Sequence, residues 1–175
     1  MYHQYAPFFS ELWHKIRNGE SLTYSWNIGM GTNFTSLFAY YLASPSNWFV
    51  ALFPQKYTIE IMNAFIILKI AGSSLSLTYY LTKHNNNKHV IAAIFGMFYG
   101  MSGFIAAYSW NIMWLDCVIL IPLIMLGLER LVNENRCIFY CITLGLCIFT
   151  NYYIAIMVCL SVAVSYTHLT LPTIA

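Results

Sequence analysis

Two side chains of opposite charge stand inside apolar stretches of this chain, Lys69 and Asp116. An unpaired charge at the centre of a bilayer costs roughly 2.5–3.5 kcal/mol on insertion scales. Lys69 is therefore expected to face a protein interior or a wet cavity, with a partner. Asp116 is the best partner, because Glu60, on the same run as Lys69, lies too far along the axis. Two outcomes fit: a structural one, a closed Lys–Asp pair or a snorkelling Lys69, and a functional one, a charged wall of a substrate cavity. Asn151 and Tyr152 lie within a later apolar run, at a depth similar to that of Asp116. Polar groups that meet at one depth mark a site. Lys69, Asp116, Asn151 and Tyr152 are thus expected to converge beneath the loop 24–33. That loop carries Trp26, Asn27, Gly29, Gly31 and Asn33. A plain turn is its default reading and a ligand-contacting loop the second. It fails as a nucleotide fingerprint, since Phe34 stands where a third glycine belongs and no strand precedes it. The five cysteines lie in or beside apolar runs. No neighbouring His or carboxylate completes a metal site around Cys137 and Cys141, so no metal and no resident cofactor is expected. Soluble catalytic signatures, such as a P-loop or a nucleophile elbow, are absent from the sequence.

The elements that position these residues belong to a membrane. Of 175 residues, 59% are hydrophobic and 8% charged, against about 25% charged in soluble domains. Mean hydropathy is +0.62. The net charge of +2 is too small to suggest nucleic acid as a partner. Aromatics reach 18%, which suits a protein with much surface at the lipid–water boundary. Four apolar runs, at 59–81, 90–108, 112–131 and 137–163, are each about 19–27 residues long, enough for the ~30 Å hydrocarbon core. The three-residue connector at 109–111 makes the second and third a tight hairpin. Before them, Tyr5, Phe8, Phe9, Leu12, Trp13 and Ile16 fall on one helical face, with Gln4, Glu11, His14, Lys15 and Arg17 opposite. A helix lying in the interface is expected there. The stretch 35–52 is broken by Ser44-Pro45-Ser46 into halves too short to span, a re-entrant or surface-lying pair.

The expected architecture is all-α and integral to the membrane: an extracytoplasmic first loop at 1–57 with interfacial or re-entrant helices, then four transmembrane helices at 58–163. Lys83, Lys88, Arg130 and Arg136 flank the first and third connectors, against Lys15, Arg17 and Lys56 on the other side. The positive-inside rule then places those connectors in the cytoplasm. Residues 164–175 read like one frame of a transposase adaptor from sequencing libraries. They are expected to be read-through, so His168 carries no functional reading.

Several segments in order resemble the bacterial YfhO-type membrane protein family: residues 1–9, 26–34 (Trp-Asn-Ile-Gly-Met-Gly-Thr-Asn-Phe), 40–45, 111–116 (Asn-Ile-Met-Trp-Leu-Asp) and 151–153. The resemblance covers about 1–162. It implies the front of a larger bundle similar to the GT-C glycosyltransferases, a bacterial plasma-membrane location, and remaining helices that complete the fold. It further implies transfer of a sugar from a polyprenyl-phosphate donor to a cell-envelope polymer, such as lipoteichoic acid, on the outer face. An acceptor hydroxyl would attack the anomeric carbon while a carboxylate takes its proton. In such enzymes the usual base is a first-loop Asp, expected here just upstream of Met1, so the fragment itself is expected to be inactive. His3 and Gln4 would sit beside that Asp, with Asp116 a supporting or alternative acid. Trp26, Asn27, Gly29, Gly31, Asn33, Lys69, Asn111, Asn151 and Tyr152 are the expected substrate-binding residues. The expected partners are membrane lipids and the lipid-phosphate-linked sugar. A transporter or flippase, or a non-catalytic scaffold, are the competing readings.

Overall fold

The computed structural model describes residues 3–85 and 89–170. Met1, Tyr2 and Lys88, used above for the resemblance and the orientation, lie outside them. Helix α1 (Tyr5–Asn18) ends on Gly19, whose φ of 65° lets its N–H reach back to the Lys15 carbonyl. A two-residue ladder follows, β1 (Tyr24–Ser25) against β2 (Thr32–Asn33), antiparallel. Helix α2 (Phe34–Leu37) runs into a π-helical turn at Phe38–Leu42, and 3₁₀ turns occupy Pro45–Leu52 and Gln55–Tyr57. The long helices come next: α3 (Thr58–His84), α4 (His89–Gly100), the short α5 (Gly103–Tyr108), α6 (Ile112–Glu134), α7 (Ile138–Thr150) and α8 (Tyr152–Thr170).

Among the described residues, four helical stretches are long and apolar enough to cross a membrane: Gln55–His84, His89–Tyr108, Ile112–Glu134 and Tyr152–Thr170. The first three follow the expected runs. The fourth corrects the expectation of one helix over 137–163. Asn151 takes an extended conformation (φ −159°, ψ 104°) and ends α7. Its side-chain oxygen accepts from the Ile154 N–H at 3.0 Å and starts α8, the role Asn plays best at a helix N-terminus. The 13-residue α7 packs along α6, and α8 turns back with Ala155, Val158 and Val162 in one core with Cys117, Ile124 and Leu128.

The expected tight hairpin of the second and third helices is also corrected, since α4 packs chiefly on α3, which in turn packs on α6. Glycines explain the choice. A Cβ at Gly96 would strike the Thr78 hydroxyl and lie 2.6 Å from the Ser74 carbonyl oxygen. Only a bare Cα allows this approach of two helices. A polar tie still joins α4 to α6. Pro122, inside α6, has no N–H to offer the Val118 carbonyl four residues back. The Tyr99 hydroxyl of α4 donates to that carbonyl at 2.9 Å. Tyr99→Phe is expected to orphan it and to cost ~1–2 kcal/mol. Unfolding of the detergent-solubilised protein at rising SDS fraction measures this, and an unchanged midpoint would exclude the compensation.

Helix α1 does not spend its apolar face on lipid. Tyr5, Phe9 and Leu12 are buried with Phe34, Leu42, Val50, Ile61, Met62, Ile112 and Met113. Together with 34–52, α1 forms a cap over the ends of α3 and α6. The apolar face read from the sequence is the face that α1 buries, and it is covered by the rest of the cap and by the ends of α3 and α6.

Candidate functional site

The cap and the bundle meet in a cluster of amides and phenols. Tyr5 donates its hydroxyl hydrogen to Asn111 Oδ1 at 2.6 Å, joining α1 to the start of α6. Gln4 Nε2 donates to the Tyr41 hydroxyl at 3.1 Å. Asn151 Nδ2 donates to the Tyr40 carbonyl at 3.2 Å, so the break between α7 and α8 is covered by the cap. Such non-helical backbone at depth needs protein over it. The rings of Tyr5, Tyr40, Tyr41, Trp110 and Tyr152 lie edge to face around these bonds, with Tyr40 and Tyr41 centred 4.7 Å apart. Gln4, Trp110 and Tyr152 are exposed at the rim, while Asn111 and Asn151 are buried. Burial, with Tyr41 and Tyr40 adding to it, pushes the Tyr5 phenol up to about 12. It therefore keeps its donor hydrogen for Asn111 throughout the physiological range.

Lys69 and Asp116 meet one turn below. Lys69 Nζ lies 2.7 Å from Asp116 Oδ2 and donates to the Ile112 carbonyl at 3.2 Å. The side chains are 5% and 13% exposed. Of the two outcomes left open by the sequence, the geometry is the closed pair. Cys117 follows Asp116 and packs under Asn151, its Sγ 4.0 Å from the Asn151 carbonyl oxygen. The pair, Asn111 and Asn151 thus share one end of the bundle.

The loop 24–33 stands elsewhere, fastened to the later turns of α1. Glu11 accepts from Ser25 Oγ at 2.6 Å and from Asn27 Nδ2 at 3.1 Å. Lys15 Nζ donates to the Ser21 and Tyr24 carbonyls at 2.9 and 2.8 Å, beneath the Phe34 ring. Both charged side chains are buried, although their helical positions put them on the polar face of α1. The sequence reading missed them: a polar stripe on a helix looks the same whether water or a folded loop covers it. Glu11 lies six residues beyond Tyr5, so the loop is fastened ~9 Å or more along α1 from the amide–phenol cluster. The side-chain bonds that fasten it run to α1 rather than to Lys69 or Asp116, and Ile28 packs on the core of the cap. Gly29 and Gly31 have φ of 55° and 97° and turn the loop tip. Trp26 stands exposed there, its ring 4.9 Å from that of Tyr24. Asn33 caps α2 through the Thr35 N–H. His3 is exposed beside Gln4. Replacing Lys15 by Met is expected to leave two carbonyls and Glu11 without their cation and to free the loop. Proteolysis within 20–33 would then accelerate at unchanged helix content, whereas an unchanged cleavage rate would contradict the clamp.

An α-helical bundle with several apolar crossings and a folded polar cap defines a polytopic membrane protein. The chain belongs to the YfhO family of bacterial membrane proteins: the family model, described as bacterial membrane protein YfhO, matches residues 1–171. No curated protein and no solved structure matches the chain.

Proposed function

We propose that this chain forms part of a membrane glycosyltransferase. It would move a sugar from a polyprenyl-phosphate donor to a cell-envelope polymer, of the lipoteichoic acid kind, on the outer face of the bacterial plasma membrane. The supporting observation is the amide–phenol cluster in which Gln4, Tyr5, Tyr40, Tyr41, Asn111, Asn151 and Tyr152 meet. Amides and phenols bind sugar hydroxyls, and aromatic faces stack on sugar rings. In the reaction an acceptor oxygen forms the new bond to the anomeric carbon. The bond to the donor phosphate breaks, and the phosphate leaves with the electron pair. A base takes the acceptor proton.

In this reading Gln4, Tyr152 and Trp110 contact substrate at the exposed rim. His3 stands beside them. Asp116, closed onto Lys69, is a positioning residue that holds α3 against α6 beneath the cluster. Trp26 and Asn27 form a separate contact for the acceptor. The test is sugar transfer by membranes carrying Gln4→Ala or Tyr41→Phe, in the longest reading frame that encodes this chain. Transfer is expected to fall at least tenfold with the protein still monodisperse. Unchanged transfer would remove the cluster from the site. Donor movement across the bilayer without transfer would favour a flippase instead.

A further inference from the structure

At the opposite end of the bundle, the last turns of α3 and α6, with Leu169 of α8 at one side, border an open cavity of about 410 Å³. Lys83, His84, Glu129, Arg130, Asn133 and Glu134 line it. The charges there are unevenly matched. Glu129 is engaged twice: it accepts from the Tyr80 hydroxyl at 2.7 Å and lies 3.0 Å from His84 Nδ1. Glu134 pairs with Arg136 at 3.7 Å. Lys83 and Arg130 have no carboxylate within salt-bridge distance among the described residues. Each instead rests on an aromatic ring, Lys83 on Tyr79 at 5.9 Å and Arg130 on Phe139 at 5.3 Å. Ring contacts hold the two cations in place without neutralising them. Both sit near the C-terminal ends of the apolar spans Gln55–His84 and Ile112–Glu134, where a span of that length meets headgroups.

Basic residues at helix ends have a simpler use, since they offset the partial negative charge of the last carbonyls. That use needs no cavity, and it does not account for two unpaired cations converging on one. We infer that this cavity binds the phosphate of an anionic lipid headgroup, with Lys83 and Arg130 as the charged contacts and Asn133 as a neutral donor. The site is independent of the proposed transfer reaction, because it lies at the far end of the bundle.

Native mass spectrometry of the protein from micelles doped equally with phosphatidylglycerol and phosphatidylcholine tests this. Phosphatidylglycerol adducts are expected to exceed phosphatidylcholine adducts on the order of tenfold or more. The double variant Lys83→Ala/Arg130→Ala should bring the two to parity. Lys83→Arg/Arg130→Lys, which keeps both charges, should retain the preference, and so should Lys56→Ala, a cation before α3. If the double alanine variant does not purify, Lys83→Gln gives the same readout at an exposed position. Parity in the unaltered protein, or a preference that survives loss of both cations, would overturn the inference. Displacement by millimolar inorganic phosphate would keep the phosphate site but assign it to the free ion. Resistance to displacement assigns it to the lipid.

Discussion

Replacing Lys69 by Met is expected to destabilise the protein by ~3–5 kcal/mol, because it leaves the Asp116 carboxylate without its cation among apolar helices. The Lys69 ammonium makes two contacts, one to Asp116 and one to the Ile112 carbonyl, and both cross from α3 to α6. Asp116→Leu alone should cost a comparable amount by stranding the ammonium. The double variant Lys69→Met/Asp116→Leu should recover most of the loss, since removing both charges also removes the cost of burying them. SDS-driven unfolding of the four proteins, followed by tryptophan fluorescence, closes the cycle. Single variants no weaker than the double would show that the pair does not hold α3 to α6. A transfer assay on the double variant separates its roles. Positioning predicts that activity survives with the fold, whereas a direct contact with substrate predicts activity lost from a folded protein.

Gly96→Val should have the second-largest effect. The added carbons meet the Thr78 hydroxyl and the Ser74 carbonyl, and the backbone oxygen has nowhere to move. Helix α4 must then lift off α3, at ~1–3 kcal/mol for overpacking. Separation would also draw the Tyr99 hydroxyl away from Val118, so the loss should exceed that of Tyr99→Phe. Gly145→Ala is the matched control, because nothing lies within 4 Å of the new Cβ in α7. There the gain in helix propensity, ~0.5–1 kcal/mol, acts alone. The same SDS titration reads both. Equal midpoints for Gly96→Val and Gly145→Ala would mean that α4 does not depend on this close approach.

Periodicity and run length made α3, the 89–108 stretch and α6 legible in the sequence, because a membrane admits few other uses for long uncharged segments. The Lys69–Asp116 pair was legible for a related reason: two charges in hydrocarbon have few partners to choose from. The break at Asn151 was missed. Hydropathy averages over a window, and one Asn does not interrupt it, although Asn at the first position of a helix is a known start signal. A run of 27 residues, well beyond a single crossing, was the second signal. Glu11 and Lys15 were assigned to water because helical phase tells which face is polar, not what covers it. The loop they clamp has no periodicity of its own. The tie from Tyr99 to Val118 depends on which helix stands beside Pro122, and side-chain types do not state that. The amide–phenol cluster was half visible. Asn111, Asn151, Tyr152 and Gln4 were singled out, but Tyr5 was placed on an apolar helix face and Tyr40 and Tyr41 carried no role of their own, although two hydroxyls, a carbonyl and a ring contact from these three tyrosines join the four.

Sugar transfer at the cluster end of this bundle is a proposal open to direct measurement. The most direct measurement uses membranes expressing the longest reading frame that encodes this chain. They would be supplied with a radiolabelled sugar on polyprenyl phosphate, and label would be followed into wall polymer. Label is expected in the polymer, with release of polyprenyl phosphate in equal amount and loss of both with Gln4→Ala. Label that stays on the lipid in membranes rich in folded protein would contradict the proposal.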